Sequence, residues 1–193
     1  MGVGLLTENV AARAHVPRFD PNADRPGGGE VQCWDQAQTR RFLAATRGRT
    51  LADLWQVALG TGMRRGELLG LRWDEVDLTV PQLRVSRSLT VVDDTPRLLQ
   101  PKTGRSRTLH LDAATAAAID RQPRRLDTTG FGLVFTREDG APLSPQKVSD
   151  RWRAQWPGLL AHDVPQIKLH ATRHVHATSH PLRPSTPTEW ARG

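Results

Sequence analysis

The run Thr61-Gly-Met-Arg-Arg-Gly-Glu-Leu-Leu-Gly-Leu-Arg-Trp-Asp-Glu-Val-Asp77 constrains this chain more than any other stretch. Before it, Leu51 to Leu59 is apolar and helix-like, with Thr50 placed as an N-cap and Asp53 three residues on. Gly60 and Gly62 are expected to break that helix sharply. A second short helix then turns Leu68, Leu69 and Leu71 inward. Arg64 is left at the junction, where a guanidinium can face a cleft and grip a phosphate through its planar fork of donors. Read alone, the stretch also fits an ordinary helix-turn-helix corner with Arg64 and Arg65 as solvated charges.

Charge points to the partner. A chain of 193 residues makes one domain, or one domain with loose ends. Its formal charge of +7 and a pI of about 11.0 imply a polyanion, most simply nucleic acid. Lys102, Lys147 and Lys168 are the only lysines among 27 basic residues, a skew that fits phosphate recognition or an arginine-rich codon composition. Cys33 is the only cysteine, so neither an internal disulfide nor a thiolate metal cluster can form. With no signal peptide and no apolar run long enough to span a bilayer, the expected compartment is the reducing cytoplasm, with no membrane partner. The chain contains no tyrosine.

The rest reads in blocks. Met1 to Glu30, with three prolines and the triplet Gly27-Gly28-Gly29, has the pattern of a linker, and Leu5 to Arg13 that of a helix end. Trp34 to Thr46 is helical, with Trp34, Ala37, Phe42 and Leu43 as a partial stripe and Asp35 near its start. After Asp77 the period becomes strand-like: Gln82 to Val92, Arg97 to Gln100 and Arg107 to Leu111 are expected to form a three-stranded antiparallel sheet. Asp112 caps an alanine-rich helix, Ala113 to Asp120. Ser144 and Pro145 open a helix carrying Val148, Trp152 and Trp156, whose tryptophans are expected in the core rather than on a base-stacking platform. From Ser179 onward prolines interrupt any helix.

Two further features carry chemistry. Lys102 sits at a Pro101-Lys-Thr-Gly104 turn between strands, which projects its ammonium. His170-Ala-Thr-Arg173 places a histidine and an arginine three apart, on one side of a helix. Arg107-Thr-Leu and Gly140-Ala-Pro-Leu-Ser-Pro145 stand between them. In that order, and with the Arg64 box, these motifs over residues 34–178 resemble the catalytic domain of the tyrosine recombinase (phage integrase) family. The resemblance implies an α+β fold, mostly helical with a small antiparallel sheet, acting on double-stranded DNA together with other recombinase protomers.

By that resemblance Arg64 and Arg173 clamp the non-bridging oxygens of a scissile phosphate. Lys102 protonates the leaving 5′-oxygen, His170 assists proton transfer or holds a phosphate oxygen, and Glu67 orients a neighbouring basic group. Fixed cations in a dry cleft stabilise the charge that builds on the equatorial oxygens, so no metal and no small-molecule cofactor is implied. The family's nucleophilic tyrosine and the histidine or tryptophan before it should lie downstream. Only 20 residues follow Arg173, and none is a tyrosine. The expectation is therefore a gene truncated or frameshifted near Ser179: residues 1–33 a linker with the remnant of a core-binding region, 34–178 a partial catalytic domain without its C-terminal helices, 179–193 an irregular tail. Such a chain is expected to be catalytically dead.

Two other classes compete. A non-catalytic regulator using Leu51 to Asp77 as a helix-turn-helix accounts for the charge but not for Lys102 or His-x-x-Arg. A metal enzyme built on His170, His174, His176 and His180 fails on spacing, because about 100° per residue turns the second pair away from the first. Cys33 as a nucleophile has no histidine near it in sequence.

Overall fold

The computed structural model describes residues 33–101, 104–124, 127, 129–159 and 162–179. The expectations for the 1–32 segment, Lys102, His180 and the tail beyond Ser179 lie outside those residues.

Helix α1 (Gln36–Thr46) begins where Asp35 closes a capping box with Gln38, each side chain accepting a bond from the other's backbone N–H. Helix α2 (Ala52–Thr61) starts differently from expectation. Thr50 does not cap it; Leu51 stands at the N-cap in the left-handed region, φ 69°, without a side-chain bond. A leucine is costly there, and its side chain packs against the core. Gly60 does not end α2 either. The helix runs through it, and a Cβ at that position would come within 2.0 Å of Thr115 Oγ1 on α4 (Ala113–Asp120). Gly62, at φ 60°, is the true stop, its left-handed backbone turning the chain toward Arg64.

Helix α3 (Arg65–Leu69) follows, burying Glu67, Leu68 and Leu69, and Leu71 is buried just after it. A 3-10 turn (Trp73–Glu75) leads into β1 (Val76–Asp77). The Gln82–Val92 run then divides at Ser86-Arg87 into β2 (Gln82–Val85) and β3 (Ser88–Val92). Strand β3 forms a hairpin with β4 (Thr95–Leu99) around Asp93 and Asp94, both at positive φ. Strand β2 pairs instead with β1 and with β5 (Arg107–His110), giving a three-stranded antiparallel sheet in the order β1-β2-β5. The sheet is small, antiparallel and three-stranded as expected, but its members differ. Alternation identifies strands; it does not say which edge each one meets.

Asp112 caps α4 by accepting from the Thr115 N–H, and Ser144 caps α5 (Pro145–Arg153). Trp156 lies on a separate short helix, α6 (Trp156–Leu159). Trp152 and Trp156 are core, as expected: with Trp34, Phe42 and Trp55 they form one cluster with ring centroids 4.7–6.3 Å apart. Two of these indoles also position the later chain. Trp34 donates to Pro165 O (2.7 Å) and Trp152 to Ile167 O (2.8 Å), fixing the extended segment before His170. A 3-10 turn (Leu169–Ala171) then enters α7 (Thr172–Ser179), which packs on α2 through buried Val175 and a bond between His176 Nδ1 and Leu59 O. No helix among the described residues is long and apolar enough to cross a membrane.

Candidate functional site

Each site residue is delivered by a separate piece of this frame. Gly62 ends α2, so Arg64 enters α3 in extended conformation (φ −65°, ψ 150°) with its side chain leaving the junction. Glu67, one turn on, points back and accepts the Arg64 backbone N–H at 2.9 Å and its guanidinium at 3.0 Å. Strand β5, in register with β2 through Val85 and Arg107, brings a second guanidinium onto the same carboxylate. Arg107 Nη1 meets Glu67 Oε1 at 3.1 Å and Nη2 meets Oε2 at 2.7 Å, a bidentate pair. Helix α7 adds a third: Arg173 Nη1 lies 3.9 Å from Glu67 Oε2, too far for a hydrogen bond.

The carboxylate at the centre is 1% exposed. Burial is the largest influence on it and pushes its pKa up. The bonds from Arg107, the Arg64 N–H and the Arg64 guanidinium together outweigh that burial and hold it at about 2, against an ordinary 4.5. Glu67 is therefore an anion at any physiological pH. One carboxylate facing three guanidiniums leaves an excess of two positive charges in the pocket. Arg173 registers it: burial, then Arg64, depress its pKa, and its Nη1 is buried with no hydrogen-bond partner.

His170 stands at the same place, in electrostatic reach of both arginines. Partial burial, then Arg173, His174 and Arg64, lower its pKa, which favours the neutral imidazole near pH 7. Its ring is edge-on to His174, centroids 6.2 Å apart, while His176 turns away to α2. From Arg64 and His170 a cleft of about 850 Å³ opens between α3, α5 and the Gln166–Leu169 segment, with Arg65, Arg153 and Lys168 among its lining residues.

Arg64, Glu67, His170 and Arg173 thus converge. Pro101 O accepts the Gly104 N–H at 2.7 Å; Lys102, between them in sequence, lies outside the described residues. Arg107 is the residue missed in the sequence. Its signal was available: an arginine at a half-buried register of a strand, in a chain with a glutamate lacking an obvious partner. The regulator reading loses its recognition helix, because α3 is five residues long and buries Glu67, Leu68 and Leu69.

A mainly helical domain whose small antiparallel sheet closes an arginine pocket against two helix ends is the catalytic-domain fold of tyrosine recombinases. The profile described as "phage integrase family" matches residues 34–180, and the chain belongs to that family. It is 28% identical over 171 residues to a XerC-like tyrosine recombinase of Caldanaerobacter subterraneus subsp. tengcongensis, covering 77% of this chain and 43% of the relative. Among solved structures, the Tn1549 transposon integrase in complex with a circular intermediate DNA superposes with a TM-score of 0.67 at 22% identity, covering 78% of this chain and 53% of that one. A lambda integrase tetramer bound to a Holliday junction gives 0.53 at 17% identity, covering 88% and 52%. The chain spans about half the length of these relatives.

Proposed function

We propose that this chain is the phosphate-gripping part of a site-specific DNA recombinase, binding duplex DNA and holding one backbone phosphate among Arg64, Lys102, His170 and Arg173. The observation that carries it is the buried, unbonded Nη1 of Arg173 beside two further guanidiniums and a single carboxylate. Buried donors without partners are rare and costly, and a phosphodiester supplies both the missing acceptors and the missing negative charge. Arg64 and Arg173 clamp its non-bridging oxygens. His170, kept toward neutrality, accepts or relays a proton at a phosphate oxygen, and Lys102 protonates the leaving 5′-oxygen.

The chain contains no tyrosine, so the covalent step has no attacking group on it, and by itself it binds without cutting. Its partners are duplex DNA and other recombinase protomers, and its compartment is the cytoplasm, where that DNA lies. Binding to a DNA duplex as a function of salt tests the pocket. Arg64→Gln with Arg173→Gln should weaken binding and lower the salt slope by about 0.9, the counterion release of the one phosphate that the two arginines share. An unchanged affinity and slope would exclude the pocket as the phosphate site.

A further inference from the structure

We propose that Arg107 is a positioning residue that keeps Glu67 off Arg173, and so keeps the phosphate clamp open; the inference rests on the phosphate-pocket reading above. An ionised carboxylate has about four acceptor positions. All four on Glu67 are filled. Oε1 takes Arg64 Nη1 (3.0 Å) and Arg107 Nη1 (3.1 Å), while Oε2 takes the Arg64 backbone N–H (2.9 Å) and Arg107 Nη2 (2.7 Å). Arg173 Nη1, at 3.9 Å from Oε2, finds no place there. Its donors are left for an incoming anion because Arg107 has saturated the resident one.

Removing Arg107 vacates one position on each oxygen. A buried carboxylate with open acceptors is expensive, and the nearest donor is Arg173, about 1 Å beyond bonding distance. Glu67 then captures Arg173, and the pocket is blocked by its own residue. Arg107 itself need never touch DNA. It acts on the clamp through one carboxylate, as a chain-internal competitor held in check.

A charge-controlled cycle tests this with the whole chain, by duplex binding at fixed salt. Arg107→Gln should bind about tenfold more weakly, the loss of one charge-assisted bond to phosphate. Adding Glu67→Gln should restore most of that affinity: the amide still accepts the Arg64 N–H and carries no charge to hold Arg173. Arg107→Gln with Asp120→Asn has the same formal charge as that double variant but leaves Glu67 in place, and should stay weak. The deficit of Arg107→Gln relative to wild type should also narrow as pH falls, because Glu67 without the Arg107 pair takes up a proton more readily and then releases Arg173.

Equal affinity of Arg107→Gln and wild type, rescue by Asp120→Asn as good as by Glu67→Gln, or no rescue by Glu67→Gln would each overturn the role. If Arg107→Gln loses its thermal transition, Arg107→Lys replaces it, and must bind more weakly than wild type and be rescued by Glu67→Gln. Wild-type binding indifferent to the Arg64/Arg173 pair sinks the phosphate-pocket reading instead, so the two failures are distinguishable.

Discussion

Glu67 shows how much one residue can decide. A glutamate in a short helix is ordinarily a solvated charge, yet here it is buried and receives four hydrogen bonds from two arginines. Its folded pKa of about 2 lies below the ordinary 4.5. A depressed carboxylate stabilises the fold fully above the unfolded value and loses that contribution as pH falls through the window from 4.5 to about 2. The amount at stake is on the order of 3 kcal/mol. Urea unfolding at pH 6 and pH 3 should therefore show wild type losing more stability than Glu67→Gln. Parallel acid losses in the two chains would mean that Glu67 is not held this way.

Elements meet at places where side chains are small. Helix α4 approaches α2 over Gly60, close enough that Thr115 occupies the space of a missing Cβ. Thr115 cannot retreat, being fully buried with its hydroxyl bonded to Asp112 at 3.0 Å. Alanine at position 60 gains helix propensity, yet the overlap should dominate and cost about 1–3 kcal/mol. Chemical denaturation of Gly60→Ala should show this loss, and Thr115→Ala in the same chain should recover part of it. A Gly60→Ala chain as stable as wild type would mean that α2 and α4 are not packed as described. The effect matters for the site, because α2 ends at Gly62 and so sets where Arg64 begins.

At the scale of the whole molecule, the proposed function separates binding from cutting. A charge of +7 gives any polyanion a salt-dependent attraction, and the proposed function adds a defined phosphate position to it. Strand cleavage additionally needs an attacking oxygen, and the 193 residues contain no tyrosine. Incubated with a nicked suicide duplex, the chain should yield no covalent adduct on a denaturing gel, at any protein concentration. An adduct at a mapped residue would show that another nucleophile serves.

Local chemistry made much of this legible in sequence. The capping signals of Asp35, Asp112 and Ser144, the inward leucines of the Thr61–Asp77 run and the tryptophan core all follow from spacing and short-range hydrogen bonding, which a chain carries wherever it folds. The motif order, through its resemblance to a known family, singled out Arg64, His170 and Arg173, whose side chains lie within electrostatic reach of one another. Tertiary structure decided the rest. Which edge β2 and β3 meet, why α2 passes through Gly60 and stops at Gly62, and that Arg107 saturates Glu67 depend on contacts between residues up to 55 positions apart. No local preference encodes such contacts, because their free energy exists only once burial has brought distant groups together and removed the water between them.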